Sequence, residues 1–111
     1  MTTAIFRTEQ GRITGFIIEG HSGYAEAGED IVCAGVTSAV RLTETALNDV
    51  MGLAAPVKIR EKDAYLSLRL PGGLSPDAEE TCQILLTAFM VYLSGLRDEY
   101  PAYLEVREQE N

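Results

Sequence analysis

Two side chains in this sequence could act together as a base and a nucleophile, and they lie twelve positions apart: His21 and Cys33. A thiolate attacks carbonyl carbon readily, and an imidazole can take the thiol proton near neutral pH. His21 is the single histidine of the chain, and residues 20–29 around it hold three glycines and no long apolar run. That composition marks a surface loop with freedom to move. Asp30 then reads as a helix N-cap, because its carboxylate can accept bonds from the first free backbone N–H groups. Cys33 would thus sit in the first helical turn, where the helix N-terminus favours the thiolate over the thiol. There the N–H of Cys33 and that of a loop glycine are candidate donors to a developing oxyanion. On residues alone the plainer alternatives stay open: a surface histidine, and a cysteine that fills space in an apolar helix. Asp30 also cuts both ways, since a nearby carboxylate opposes a thiolate unless His21 or the backbone engages it.

These side chains need elements to hold them. Residues 3–8 and 13–19 are rich in β-branched and aromatic types, and Gln10-Gly11-Arg12 between them reads as a hairpin connection. Residues 31–51 are helical in pattern, with Val32, Val36, Val40, Leu47 and Val50 at spacings near three, four and seven, and Gly52 as the stop. No charge follows Asp30 until Arg41, which predicts that the first half of this helix is buried on most sides. Residues 57–60 and 64–70 form a second strand pair, and Ser75-Pro76 opens a long helix to about Tyr100. Its stripe of Ala78, Cys82, Leu85, Leu86, Phe89, Leu93 and Leu96 puts Cys82 in the core. Residues 103–107 make a short last strand before a polar tail. The order ββαββαβ predicts an α+β fold: a two-layer α/β sandwich, mainly antiparallel, with both helices on one face and one domain over residues 1–111.

Composition narrows the function. Nine basic against seventeen acidic residues give a net charge of −8, and no Lys/Arg cluster stands out, so direct nucleic-acid binding is not expected. An acidic surface favours basic partners. One histidine and two cysteines cannot supply a four-ligand zinc site, and Pro71-Gly72-Gly73 lacks the lysine of a phosphate loop, so no metal or cofactor is expected. No apolar run is long enough to span a membrane and no signal-type segment opens the chain, which makes the cytoplasm the expected compartment.

The stretch Gly20-His21-Ser22-Gly23-Tyr24 with Gly28-Glu29-Asp30-Ile31-Val32-Cys33-Ala34 resembles the signature of the ribosomal-processing cysteine protease family, Prp. The likeness extends over nearly the whole chain. It implies an enzyme that removes a short N-terminal extension from the large-subunit ribosomal protein numbered twenty-seven, cutting after a phenylalanine-rich hydrophobic site. It also implies His21 and Cys33 as the catalytic dyad, Asp30 and Gly20 as supporting residues, a homodimer, and a loop that closes over the site. Where such proteins commonly have serine four residues after the cysteine, this chain has Thr37, followed by Ser38, so a hydroxyl is retained and Thr37 is implied as a further supporting, not essential, residue. Two rival readings compete with it: a non-enzymatic ribosome-assembly or protein-binding module, and a thiol redox or acyl-transfer protein, which no Cys-x-x-Cys motif supports.

Overall fold

The computed structural model describes residues 1–26 and 30–111. Five strands form one sheet in the order β3-β4-β2-β1-β5: β1 Thr2–Glu9, β2 Arg12–Glu19, β3 Val57–Arg60, β4 Tyr65–Arg69 and β5 Leu104–Glu110. All neighbours are antiparallel except β1 and β5, which run parallel with Thr2 opposite Leu104 and Thr8 opposite Glu110. Alternation decides which face each residue joins. Ala4, Phe6, Phe16, Ile18, Leu68 and Leu104 turn to one side and pack in a single apolar cluster with residues of both helices. The sandwich is therefore two-layered and mainly antiparallel, as the element order implies.

The helices are α1, Ile31–Glu44, and α2, Pro76–Glu99. Val32, Val36 and Val40 of α1 and Cys82, Leu86, Phe89 and Leu93 of α2 face the sheet. Phe6, Phe16 and Phe89 meet edge-on or tilted at centroid separations of 4.9–6.2 Å. Truncating such a buried ring typically costs about 3–5 kcal/mol, so this trio is a large share of what fixes α2 on the sheet. Ser75 caps α2 by accepting from the N–H of Ala78. The Arg12 guanidinium grips the Glu79 carboxylate through two bonds of 2.5 and 2.7 Å, while Gln83 pairs with both backbone groups of Ile13, tying the start of β2 to the first turns of α2. Gly35 lets the helices come close, since an added Cβ would stand 3.3 Å from Leu96 Cδ2.

Three local expectations change. The helix of residues 31–51 stays α-helical only to Glu44 and continues as a wider π-helical turn over Thr45–Val50. Leu47 is buried there, but Val50 is 79% exposed. The uncharged first half of α1 is not buried on most sides: Ile31 is 53% exposed, and Ala34, Thr37 and Ser38 are also open. Finally, β5 runs to Glu110, so Glu108 is part of a ladder opposite Phe6 rather than a free tail. No helix among the described residues is long and apolar enough to cross a membrane.

Candidate active site

Four elements converge on Cys33. Strand β2 ends at Glu19, and Gly20 turns the chain out of the sheet with φ +84°, a left-handed value that glycine adopts without penalty. The Thr2 hydroxyl donates to the Gly20 carbonyl at 3.0 Å, fixing this exit against the start of β1. Beyond it come His21, which is exposed, and Ser22, which is only 2% exposed. Asp30 then caps α1 in extended backbone, as its position predicts.

The polar contacts form a closed ring. One oxygen of Asp30 accepts from the N–H of Cys33 at 2.9 Å, and the other accepts a short bond from the Ser22 hydroxyl. The Ser22 N–H donates to the Cys33 Sγ at 3.4 Å, and the Ser22 hydroxyl also accepts from the N–H of Tyr24 at 3.1 Å. Tyr24 stands edge-on between Tyr100 and Tyr103, with centroids 5.5 and 5.2 Å away, and so clasps the loop to the far end of α2. This first stretch of the loop is thus docked at the helix start. His21 itself makes no hydrogen bond to Cys33 among the described residues. Gly28 and Glu29 of the sequence signature lie outside the described residues.

One candidate oxyanion donor is lost in this arrangement. The N–H of Cys33 points into the Asp30 carboxylate, so it is already committed. Ser22, which no spacing rule singled out, instead brings a backbone N–H to the sulfur. Nothing in the local sequence pairs a loop serine with an aspartate eight residues on; the chain's return across the helix start does so.

Burial pushes the Asp30 carboxyl up, but bonds from Ser22 and from the backbone N–H groups of Cys33 and Ala25 outweigh it and hold the group at about 2, below its ordinary 3.8. A folded-state value below the ordinary one stabilises the fold above pH 3.8, and that contribution is lost as pH falls toward 2. Accordingly, the difference in urea midpoint between wild type and Asp30→Asn should be largest near neutrality and shrink through that window. An unchanged difference from pH 7 to pH 2.5 would contradict the assignment.

A groove of about 940 Å³ contains His21, Asp30 and Cys33. Its apolar lining comes from Ile18, Val36, Val40, Ile59 and Leu66, with Thr37 and Ser38 on α1 and the charged Arg41, Glu44 and Glu61 also present. Thr37 follows Cys33 by one helical turn and so shares its face. The exposed, uncharged face of α1 is therefore a groove wall. Among the described residues, no three or more His, Cys, Asp or Glu side chains gather as a metal site.

Residues 1–105 match the family model described as "Cysteine protease Prp". The chain belongs to this family. A ribosomal processing cysteine protease Prp from Bacillus subtilis strain 168 is 32% identical over 102 residues, covering 92% of this chain and 91% of the relative. The Staphylococcus aureus protein of the same name is 24% identical over 100 residues, or 90% and 91% of the two chains. Among solved structures, the fold is shared by the S. aureus ribosomal processing protease Prp in complex with a covalently linked product peptide. The TM-score is 0.87 at 22% identity, over 98% of this chain and 100% of that one. A Streptococcus mutans protein gives a TM-score of 0.85 at 25% identity, over 100% and 96%. As a member of the Prp family, the chain is a cysteine protease.

Its two thiols differ in setting. Cys33 is half-buried at the groove, whereas Cys82 is fully buried and its burial pushes the thiol up. Iodoacetamide at neutral pH should modify Cys33 and spare Cys82 in the folded protein, read by peptide mass mapping. Equal labelling of both would contradict this contrast.

Proposed function

We propose that this protease removes the N-terminal extension of the large-subunit ribosomal protein numbered twenty-seven, cutting after a phenylalanine-rich site in the cytoplasm. Cys33 is the nucleophile, His21 its base, and residues 1–111 act as one catalytic domain. The observation that carries this reading is the position of the Cys33 sulfur: at the capped start of a helix, 3.4 Å from the amide of the residue after His21, in a groove with apolar walls that His21 also lines. The ribosomal-processing names of the relatives support the substrate class.

In the reaction, His21 takes the Cys33 proton and the thiolate attacks the scissile carbonyl. His21 then gives that proton to the leaving amine as the C–N bond breaks. Water, deprotonated by His21, opens the thioester and frees Cys33. His21 is joined to the residue whose amide touches the sulfur, and it lines the same groove as Cys33. Asp30 holds the helix start with both oxygens engaged, and serves as a cap rather than as a third member acting on the imidazole. Ile18, Val36, Val40 and Leu66 offer phenylalanine rings an apolar lining, and Thr37 lines the same groove.

The test is cleavage of a peptide copied from the N-terminal extension of the host's own ribosomal protein. A single cut after the hydrophobic site is expected. A peptide that binds but stays intact would favour the binding-module reading.

A further inference from the structure

We propose that Ser22 is a positioning residue: its hydroxyl, locked to Asp30, holds its own backbone N–H against the reacting sulfur, where that N–H becomes a donor to the oxyanion. The proposal rests on the proteolytic reading above and adds a residue to it. Three observations carry it. Ser22 is a polar residue buried to 2% exposure inside a loop whose neighbours His21 and Gly23 are open. Its hydroxyl is fully used, donating to Asp30 and accepting from the Tyr24 N–H. And its own N–H meets Cys33 Sγ at 3.4 Å.

The chemistry follows from where charge moves. In the resting enzyme the Ser22 N–H donates to sulfur. When sulfur bonds to the substrate carbonyl, negative charge leaves sulfur for the oxygen attached to the same carbon, one bond further on. A donor already fixed beside the sulfur needs only a small shift to follow it, and donors held in place for developing charge act on the transition state. The alternative donor on α1, the N–H of Cys33, is occupied by Asp30. The same carboxylate that removes one donor therefore anchors another. Because the lock works on an amide that substrate binding does not require, its loss should appear in kcat and leave KM near its wild-type value.

The experiment compares wild type, Ser22→Ala, Ser22→Thr, Asp30→Ala and the Ser22→Ala/Asp30→Ala double variant. Steady-state cleavage of the extension peptide is measured with NMR hydrogen exchange of the residue-22 amide. Ser22→Ala should lower kcat about 10- to 100-fold with KM within about twofold, as loss of a preorganised donor implies. Ser22→Thr, which keeps the hydroxyl, should recover most of this. The double variant should be no slower than Asp30→Ala, because the hydroxyl acts through the carboxylate. The residue-22 amide should exchange faster in Ser22→Ala. Additive losses in the double variant, a rise in KM alone, or a residue-22 amide that stays protected in Ser22→Ala would each overturn the proposal. Should wild type leave the peptide uncut, the proteolytic reading fails by itself, and the exchange rates still decide whether Ser22 holds its amide at Cys33.

Discussion

Cys33→Ala should remove all measurable cleavage of the extension peptide while leaving the protein folded. On the proposed mechanism the sulfur is the atom that bonds to substrate, and it is the side-chain atom that the Ser22 amide meets. Alanine suits a helix interior, and Cys33 is only half-buried at the groove, so the substitution takes little from the core. His21→Ala should follow closely, with kcat/KM down about 10²- to 10⁴-fold, the usual contribution of a positioned general base. No second imidazole exists to replace it. Asp30 cannot take over either, because its carboxylate already serves Ser22 and Cys33 and is held at about 2, too weak a base to take a thiol proton. Thermal melting of both variants should match wild type, which separates lost chemistry from lost structure. If Cys33→Ala still cuts, the nucleophile lies elsewhere and the dyad assignment is wrong.

Gly20→Ala should be the most damaging single-methyl change near the site. Gly20 has φ +84°, and a Cβ built on it would stand 2.6 Å from the backbone carbonyl oxygen of Met1. Forcing a non-glycine residue into such a dihedral costs about 1–3 kcal/mol. The collision adds to this, because the atom it meets is backbone at the head of β1 and cannot swing aside. Relief requires the exit from β2 to move, and His21 is the next residue. Displacements near 1 Å at a catalytic group can cost about 10²-fold in rate, so kcat/KM should fall by roughly that factor along with stability. Gly23→Ala is the control. Its φ is +76°, yet a Cβ there has nothing within 4 Å among the described residues, so the dihedral cost is the one that applies. A Gly20→Ala protein that melts and cuts like Gly23→Ala would show that the Met1 contact relaxes easily.

The elements were legible in the residues because each is written locally. Alternation in residues 3–8 and 13–19, a serine and proline before α2, and Asp30 three residues before Cys33 all act over one or two turns of chain. The places where reading failed are those where a neighbour far along the chain decides. An uncharged run on α1 looked buried, but Ala34, Thr37 and Ser38 face an open groove rather than another element. The helix over residues 31–51 widens after Glu44, and no glycine or proline between there and Val50 announces it.

The sequence by itself picked out the two side chains proposed to react, the cap that sets Cys33 in a first helical turn, the strand and helix order, and the acidic balance. All of these follow from residue type and short spacing. Only the tertiary structure decided how Asp30 spends its two oxygens, which amide reaches the sulfur, and what lines the groove. The reason is physical: Ser22 meets Asp30 and Cys33 only after Gly20 turns the chain out of β2 and Tyr24 docks against Tyr100 and Tyr103. Likewise Ile18, Leu66 and Val40 become one apolar lining only when β2, β4 and α1 pack together.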